Sequence, residues 1–250
     1  MKLEKIINEQ YKDVESVVVE TLKKKNNEQV ETLLEMYTQW LNITSLGDRM
    51  LKKFYEKAHE LINEKSSSHS QEDITTFSIL LDSFEKENNF AYSGIFLSAL
   101  INNHYDRTKT EEEYKLILSH IHTPLHRIGM KTNGAHIFVE GNCGEEVANG
   151  MSSGTITLDG NCELGAGYFM KGGTIQVKNA GAFFGEDMTG GTLICDDVEE
   201  LSQQIRGGEI YVLKGTLNVE EMYFTEDQKK NITFYYNGKK IFPEDTSMNP

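Results

Sequence analysis

The chain has 250 residues, 25 of them basic and 39 acidic, which gives a net charge of −14 at neutral pH. This excess of carboxylates disfavours binding to nucleic acids and to anionic membranes, which both attract basic surfaces. Every apolar run is shorter than the roughly 18 residues of a membrane span, and the start of the chain lacks the apolar segment of a signal peptide. Three cysteines are too few for a disulfide scaffold. We therefore expect a cytoplasmic protein that binds neither nucleic acid nor membrane.

Glycine divides the chain into two parts. Of the 21 glycines, 18 lie after residue 130. Pro124 stands just before this change, and the residue that precedes a proline tends to leave the helical region. The predicted domain ranges are 1–126 for a helical domain of unknown family, 127–220 for a second domain and 221–250 for a terminal segment.

The first part carries apolar side chains at three- and four-residue spacing, which places them on one face of a helix. Stripes of this kind begin at Leu3, Val30, Met50 and Ile74, and the segment from Tyr92 to Ile101 is strongly apolar. A capping box at Thr110–Glu113 predicts a last helix, which would continue through Tyr114, Ile117, Leu118 and Ile121. About six helices in all predict a bundle.

The second part is a repeat with a period of 17 to 19 residues. Its aliphatic anchors, each in a short β-run, are Ile137, Ile156, Ile175, Leu193 and Ile210. Two further columns accompany these anchors. A glycine precedes each of the last four anchors, at Gly154, Gly173, Gly191 and Gly208, and a methionine precedes three of them, at Met151, Met170 and Met188. Another column holds Gly141, Gly160, Asn179 and Asp197, which tolerate positive φ and so predict a turn repeated at that place.

So short a repeat cannot hold a strand and a crossover helix, and it can bury its apolar columns only by stacking on copies of itself. The sequence therefore predicts an α+β chain in which a helical bundle precedes a parallel β-solenoid of about five coils. Asn237-Gly238 lies between two β-runs and predicts a terminal hairpin. We expect the helices and this hairpin to cover the two ends of the stack, because open strand edges promote association.

The elements Met170-Lys-Gly-Gly-Thr-Ile175 and Met188-Thr-Gly-Gly-Thr-Leu193 resemble the GXGXG β-helix module. This module forms the C-terminal domain of the glutamate synthase large subunit and occurs in one of the chains of formylmethanofuran dehydrogenase. The resemblance covers about residues 130–215. It implies a right-handed parallel β-helix that serves as scaffold and interface and supplies no catalytic residues.

Few residues suggest chemistry, and no motif predicts a catalytic residue or a cofactor site. The candidate metal ligands are His120, His122, His126 and His136, since clustered imidazoles can hold zinc. The same histidines also suit a structural role near a helix C-terminus. Cys143 and Cys162 are one period apart, so they are predicted to stack on adjacent coils, whereas Cys195 is predicted to lie in the core.

These observations leave three hypotheses of function open. The leading one is a non-catalytic scaffold or interaction subunit that docks a partner protein or a second copy of the chain. The second is a metal-dependent enzyme with its site at the junction of the helices and the solenoid. The third is a solenoid that assembles end to end, as bactofilins do.

Overall fold

The structure is a computed structural model that describes residues 28–45, 51–65, 69–215, 217–219 and 222–242. The predicted stripe at Leu3 lies outside the described residues, as do residues 243–250. In the described part, helices come first and a parallel β-solenoid follows them.

The helices before the sheet enclose an aromatic core. They are α1 Glu28–Ser45, α2 Leu51–Glu64, α3 Gln71–Leu80 and α4 Ser93–Thr108, with 3-10 turns at Leu81–Phe84 and Phe90–Tyr92. A capping box of Ser70 and Asp73 starts α3. The Tyr37 ring lies 5.5 Å from that of Phe77 and 5.4 Å from that of Phe96 in edge-on contacts. This core therefore joins α1, α3 and α4.

A single sheet connects all the described strands. They are β1 Tyr114–Ile117, β2 Asn133–Glu140, β3 Ser153–Asp159, β4 Asn161–Cys162, β5 Thr174–Ala180, β6 Thr192–Val198, β7 Gly208–Val212, β8 Ile232–Tyr236 and β9 Lys239–Phe242, with a short helix α5 Glu226–Asn231 before β8. The strands pair in parallel in the order β1-β2-β3-β5-β6-β7-β8, the short β4 also pairs with β5 in parallel, and β8 pairs with β9 in the antiparallel sense. Parallel strands that follow one another at this spacing form a β-solenoid of about five turns. The predicted solenoid is confirmed.

The anchor column runs up the inside of this sheet. Ile137 pairs with Ile156, Ile156 with Ile175, Ile175 with Leu193 and Leu193 with Ile210, and all five side chains are fully buried. Burial of each such side chain contributes about 1.5–3 kcal/mol. The column is therefore the continuous part of the core.

The glycine and methionine columns interlock between coils. Gly173 has φ +87°, and a Cβ there would lie 2.5 Å from the Cε of Met151 in the preceding coil. Met170 stands in the same relation to Gly191, at 2.6 Å, and Met188 to Gly208, at 2.4 Å. Each methionine thus fills the space that the next glycine leaves free.

The predicted last helix is wrong, because residues 114–117 form strand β1 beside β2. Tyr114, Leu116 and Leu118 are buried while Lys115 is exposed, which is the two-residue alternation of a strand. The apolar residues of this stretch fit both the spacing of a helix and the alternation of a strand, so their pattern could not distinguish the two structures. The Thr110 hydroxyl accepts a bond from the Glu112 N–H and forms a turn instead of a helix cap. The parallel sheet therefore begins inside the range 1–126.

The repeated left-handed turn is also misplaced in the prediction. Gly141 has φ +121°, but Gly160 has no positive φ, and Asn179 and Asp197 lie within β5 and β6. Asn179 instead donates its side-chain N–H to the side-chain oxygen of Asn161, 2.8 Å away. Polar side chains here form a ladder along the strands, so their preference for turns is overridden.

The edge of β1 is covered by α3. The Thr75 hydroxyl donates to the Lys115 carbonyl at 2.7 Å, and the Ile117 N–H donates to the Ser78 hydroxyl at 3.1 Å. Two backbone groups that could pair with another strand are therefore already bonded.

Candidate functional site

The left-handed backbone of the solenoid is concentrated on one corner, which we call the left-handed corner and define as residues 127–131, 146–150, 165–169 and 183–187. In each of these segments alternate residues have positive φ. The positions are Arg127, Gly129 and Lys131 in the first segment, Glu146, Ala148 and Gly150 in the second, Gly165, Gly167 and Phe169 in the third, and Phe183, Gly185 and Asp187 in the fourth. Each segment is a run of overlapping tight turns, since the N–H of Tyr168 donates to the Gly165 carbonyl and that of Met170 to the Gly167 carbonyl.

Backbone hydrogen bonds fasten these segments to one another. The Gly165 N–H donates to the Ala182 carbonyl and the Phe169 N–H to the Glu186 carbonyl, both at 2.9 Å. The Gly185 N–H donates in the opposite direction, to the Ala166 carbonyl, also at 2.9 Å. The third and fourth segments therefore lie side by side as adjacent rungs.

The middle left-handed position of each segment faces the core, and only small residues occupy it. A Cβ at Gly129 would lie 2.1 Å from the Cδ1 of Ile156, and one at Gly167 would lie 2.9 Å from Cδ2 of Leu193. Ala148, which holds this position in the second segment, is fully buried. Small residues here leave room for the anchors of the next coil.

Besides glycines and charged residues, the outer left-handed positions carry two phenylalanines. Phe169 has φ +55° and Phe183 has φ +58°, whereas Gly150 and Gly165 hold the equivalent positions one coil earlier. A left-handed conformation costs a residue with a Cβ about 1–2 kcal/mol. Only about half of each side chain is buried in return, since Phe169 is 47% exposed and Phe183 is 48% exposed. Bulky residues in strained, open positions indicate a role other than stability.

These two rungs carry four large apolar or aromatic side chains that are at least partly exposed, and we call the set Leu164, Tyr168, Phe169 and Phe183 the aromatic patch. The rings of Tyr168 and Phe169 stack at a centroid distance of 4.1 Å. Leu164 is 41% exposed, on the rung that carries Tyr168. Large exposed apolar side chains gathered on one face are typical of interaction surfaces.

Carboxylates lie on the rungs of the aromatic patch and on the rungs beside it, since the Glu146 N–H donates to the Leu164 carbonyl and the Phe184 N–H donates to the Glu200 carbonyl. They belong to Glu145, Glu146, Glu163, Glu186, Asp187, Glu199 and Glu200. Arg127 pairs with Glu146, and Arg206 pairs with Asp187. Partial burial raises the pKa of the Tyr168 hydroxyl, and the charges of Asp187, Glu146 and Glu186 raise it further. The aromatic patch therefore lies in a negative field.

The structure does not bring the four candidate histidines together. His120 Nε2 bonds the Ile79 carbonyl at 2.8 Å, and the exposed His122 ring lies 3.4 Å from the Glu85 carboxylate. His126 Nδ1 accepts the Glu145 N–H, and His136 Nδ1 bonds the Thr155 hydroxyl, both at 2.8 Å. Across the described residues, no three or more His, Cys, Asp or Glu side chains are grouped so that they could hold a metal ion.

A buried polar cluster between the helices and β1 escaped the sequence analysis. His69 and His104 are nearly inaccessible, their rings lie 5.6 Å apart, and His104 Nδ1 bonds the Tyr114 hydroxyl at 2.7 Å. Burial, assisted by the charge of Arg107, lowers the pKa of His69 to about 4, and burial also lowers the pKa of His104. Single histidines far apart in sequence give no signal of such a cluster, which holds the junction together.

The three cysteines lie inside the solenoid as free thiols. Cys143 and Cys162 lie side by side on adjacent coils, where their backbones form a parallel β-bridge, as their spacing predicts. Burial raises the pKa of all three thiols, so the reactive thiolate is disfavoured. Cys195 is fully buried among the anchors. The cysteines therefore contribute to packing.

Two open grooves follow the polar ladder on the side of the solenoid. One, of about 360 Å³, is lined by residues such as His122, Asn142 and Lys178, and the other, of about 470 Å³, by Asn179, Asp197 and Asn218 among others. In the first groove the Ser119 hydroxyl donates to the Glu140 carboxylate at 3.1 Å, and the His122 ring faces the Glu85 carboxylate at 3.4 Å, so the hydroxyl and the imidazole have separate partners. The described residues offer no catalytic arrangement in these grooves.

Comparison with protein-family models, with curated proteins and with solved structures gives no match. Among the described helices, none has both the length and the apolar character needed to cross a bilayer. The geometry of the aromatic patch is therefore the main structural evidence on function.

Proposed function

We propose that this chain is a non-catalytic scaffold or interaction subunit that docks a partner protein through the side of its solenoid. The observation that carries the proposal is the pair Phe169 and Phe183, two half-exposed rings on left-handed backbone. The backbone conformation disfavours phenylalanine at both positions and half of each side chain stays exposed, whereas a bound partner would cover the exposed half. The surrounding coils form a rigid support, because their backbone groups are bonded from rung to rung.

The resemblance to the GXGXG module supports the same function. That module serves as scaffold and interface in the enzymes where it occurs. In the left-handed corner every second residue has a positive φ, and glycine holds most of the positions that face the core. This alternation is a physical reason for the glycines that stand two residues apart in the module. The cytoplasmic location expected from the sequence belongs to this proposal as well.

The helices, as a bundle, and the terminal β8–β9 hairpin would close the two ends of the solenoid. At the first end, the bonds from Thr75 and Ser78 of α3 to β1 support this role. At the other, Lys239 and Lys240 on β9 are charged residues of the kind that discourage strand pairing. Closed ends argue against end-to-end assembly of the bactofilin type and favour docking on the side.

Affinity purification from the native cells tests this function. The bait would be the intact chain and a double variant, Phe169→Gly with Phe183→Gly, compared by quantitative mass spectrometry. We expect a defined set of proteins to be retained by the intact chain and lost by the variant. Identical recovery by both baits would contradict docking through the aromatic patch.

The metal-dependent alternative has a separate test. Elemental analysis of protein purified without a tag is expected to find no stoichiometric metal, since each of the four histidines has its own partner. One bound metal per chain, lost on substitution of His122 or His126, would favour that alternative.

A further inference from the structure

The aromatic patch offers a particular kind of surface. Its two rungs are held side by side by backbone bonds at both ends, from Gly165 to Ala182 and from Phe169 to Glu186. The stacked Tyr168 and Phe169 rings belong to the end where Phe169 bonds Glu186, and Leu164 and Phe183 belong to the end where Gly165 bonds Ala182. Such a surface presents aromatic faces and aliphatic area without a deep cavity.

The charge around the aromatic patch has one sign. The seven carboxylates on these and the neighbouring rungs outnumber the four cations there, Arg127, Lys131, Lys171 and Arg206, which leaves a net charge of −3. Two of those cations already pair with Glu146 and Asp187. Glu145, Glu163, Glu199 and Glu200 form no ion pair within the described residues. These four carboxylates are free to meet positive charge from outside.

Aromatic faces beside carboxylates are the chemistry that recognises organic cations. A guanidinium or ammonium group over an aromatic ring gains cation–π attraction while the carboxylates accept its hydrogen bonds. We infer that the aromatic patch binds a segment of a partner protein that carries arginine or lysine beside aliphatic residues. This inference rests on the proposed function, because it names the chemistry of the partner at the same surface.

A second copy of the chain fits this surface less well. A two-fold contact through the aromatic patch would place the same carboxylates opposite one another. Each chain also carries a net charge of −14, so the approach of two copies is unfavourable at low salt. A cationic segment meets the opposite situation, since attraction would speed its association.

Glycine is the suitable replacement at both phenylalanines. Gly150 and Gly165 already hold the equivalent backbone positions on the neighbouring coils, so Phe169→Gly and Phe183→Gly keep a conformation that glycine adopts freely. Neither substitution changes the charge of the chain. Tyr223, which is 72% exposed elsewhere, provides the matched control Tyr223→Ser.

The test is a binding titration by fluorescence anisotropy with the full chain. The probe is a short labelled peptide in which arginine alternates with leucine, and the control peptide has citrulline in place of arginine. We expect the double variant to bind the arginine peptide about tenfold more weakly than the intact chain, while Tyr223→Ser binds as the intact chain does. The citrulline peptide is expected to bind about tenfold more weakly as well.

The other outcomes overturn the inference in distinguishable ways. Equal binding by the double variant would mean that the peptide is held elsewhere by general charge attraction. Equal binding of the citrulline peptide would mean that the aromatic patch takes apolar segments without regard to charge. Self-association of the intact chain in sedimentation, lost in the double variant, would identify a second copy as the occupant. In the last two cases the proposed function stands; it fails if native partners are also retained by the double variant.

Discussion

Two regions of the same coils use bulky residues differently: the left-handed corner, and the sheet wall, which comprises strands β2, β3, β5, β6 and β7 with the glycines at their starts. On the sheet wall, Ile156, Ile175 and Leu193 point inward and are fully buried, so residue type follows stability. On the corner, Phe184 is fully buried while its neighbour Phe183 is 48% exposed on left-handed backbone. The difference teaches that a solenoid coil can separate the residues that hold it together from the residues that it presents.

The largest effect is expected on the inward side of the corner. Phe184→Ala removes a fully buried ring at a residue whose backbone forms a β-bridge with Leu201 of the next coil, and we expect a loss of about 3–5 kcal/mol in the free energy of unfolding. Denaturant titration measures it, with Phe184→Leu as the conservative control. A loss below that of Phe184→Leu would mean that the ring is not part of the core.

The glycines of the sheet wall should show a smaller but still large effect. At Gly173 an alanine Cβ would lie 2.9 Å from the Gly154 carbonyl oxygen, besides its contact with Met151, and φ is +87°. At Gly238 φ is +74°, but nothing lies within 4 Å. We expect Gly173→Ala to cost about 3 kcal/mol and Gly238→Ala about 1 kcal/mol.

Thermal unfolding of the two alanine variants separates strain from close contact. Equal losses at both positions would show that the interlocking of Met151 with Gly173 contributes nothing. The double variant Gly173→Ala with Met151→Ala should recover part of the loss if the interlocking matters.

Acid should weaken the junction between the helices and the solenoid. The pKa of His69 is lowered to about 4 from an ordinary value of 6.5, so the folded state binds this proton less readily than the unfolded state. The contribution of the neutral His69 ring to the free energy of unfolding is fully present above about pH 6.5, and it is lost as the pH falls from there through about 4. We expect about 2–3 kcal/mol over that range, and His69→Gln should flatten the profile. An unchanged slope in the variant would contradict this assignment.

The cysteines should give the smallest effect, a slow chemical reaction. Cys143, Cys162 and Cys195 are buried, and burial raises their thiol pKa values, so a thiol reagent should modify them only after unfolding. Rapid labelling of the native chain would show that the coils open on the timescale of the reaction. Labelling in denaturant serves as the control.

The sheet wall could be predicted from the sequence, because each coil repeats an anchor at nearly constant spacing, from Ile137 to Ile210. The first two coils each contain one glycine after the strand, at Gly141 and Gly160. The third coil lacks this residue, and the spacing of the anchors falls there from 19 residues to 18. Strand β1 could not be predicted, since Tyr114–Leu118 fits two periods and has no repeat partner at the expected distance. Its pairing with Ile137 over 23 residues follows from tertiary packing.

The aromatic patch was beyond prediction for a different physical reason. The left-handed positions of the corner that carries it hold Arg, Lys, Glu, Ala, Gly, Phe and Asp, so residue type alone does not mark them. A usable signal was the alternation Gly165, Gly167 and then Phe169, in which a bulky residue continues a glycine pattern. The candidate histidines share a stretch of sequence, but each bonds a different neighbour, and sequence proximity could not reveal that.

Thermal unfolding of the Phe169→Gly, Phe183→Gly double variant tests the central claim most directly. If the two rings serve binding at the expense of backbone strain, the midpoint should stay unchanged or rise, because relief of about 1–2 kcal/mol per residue offsets the half-buried ring area that is lost. A fall in the midpoint as large as that of Phe184→Ala would contradict the claim and would assign both phenylalanines to the stability of the fold.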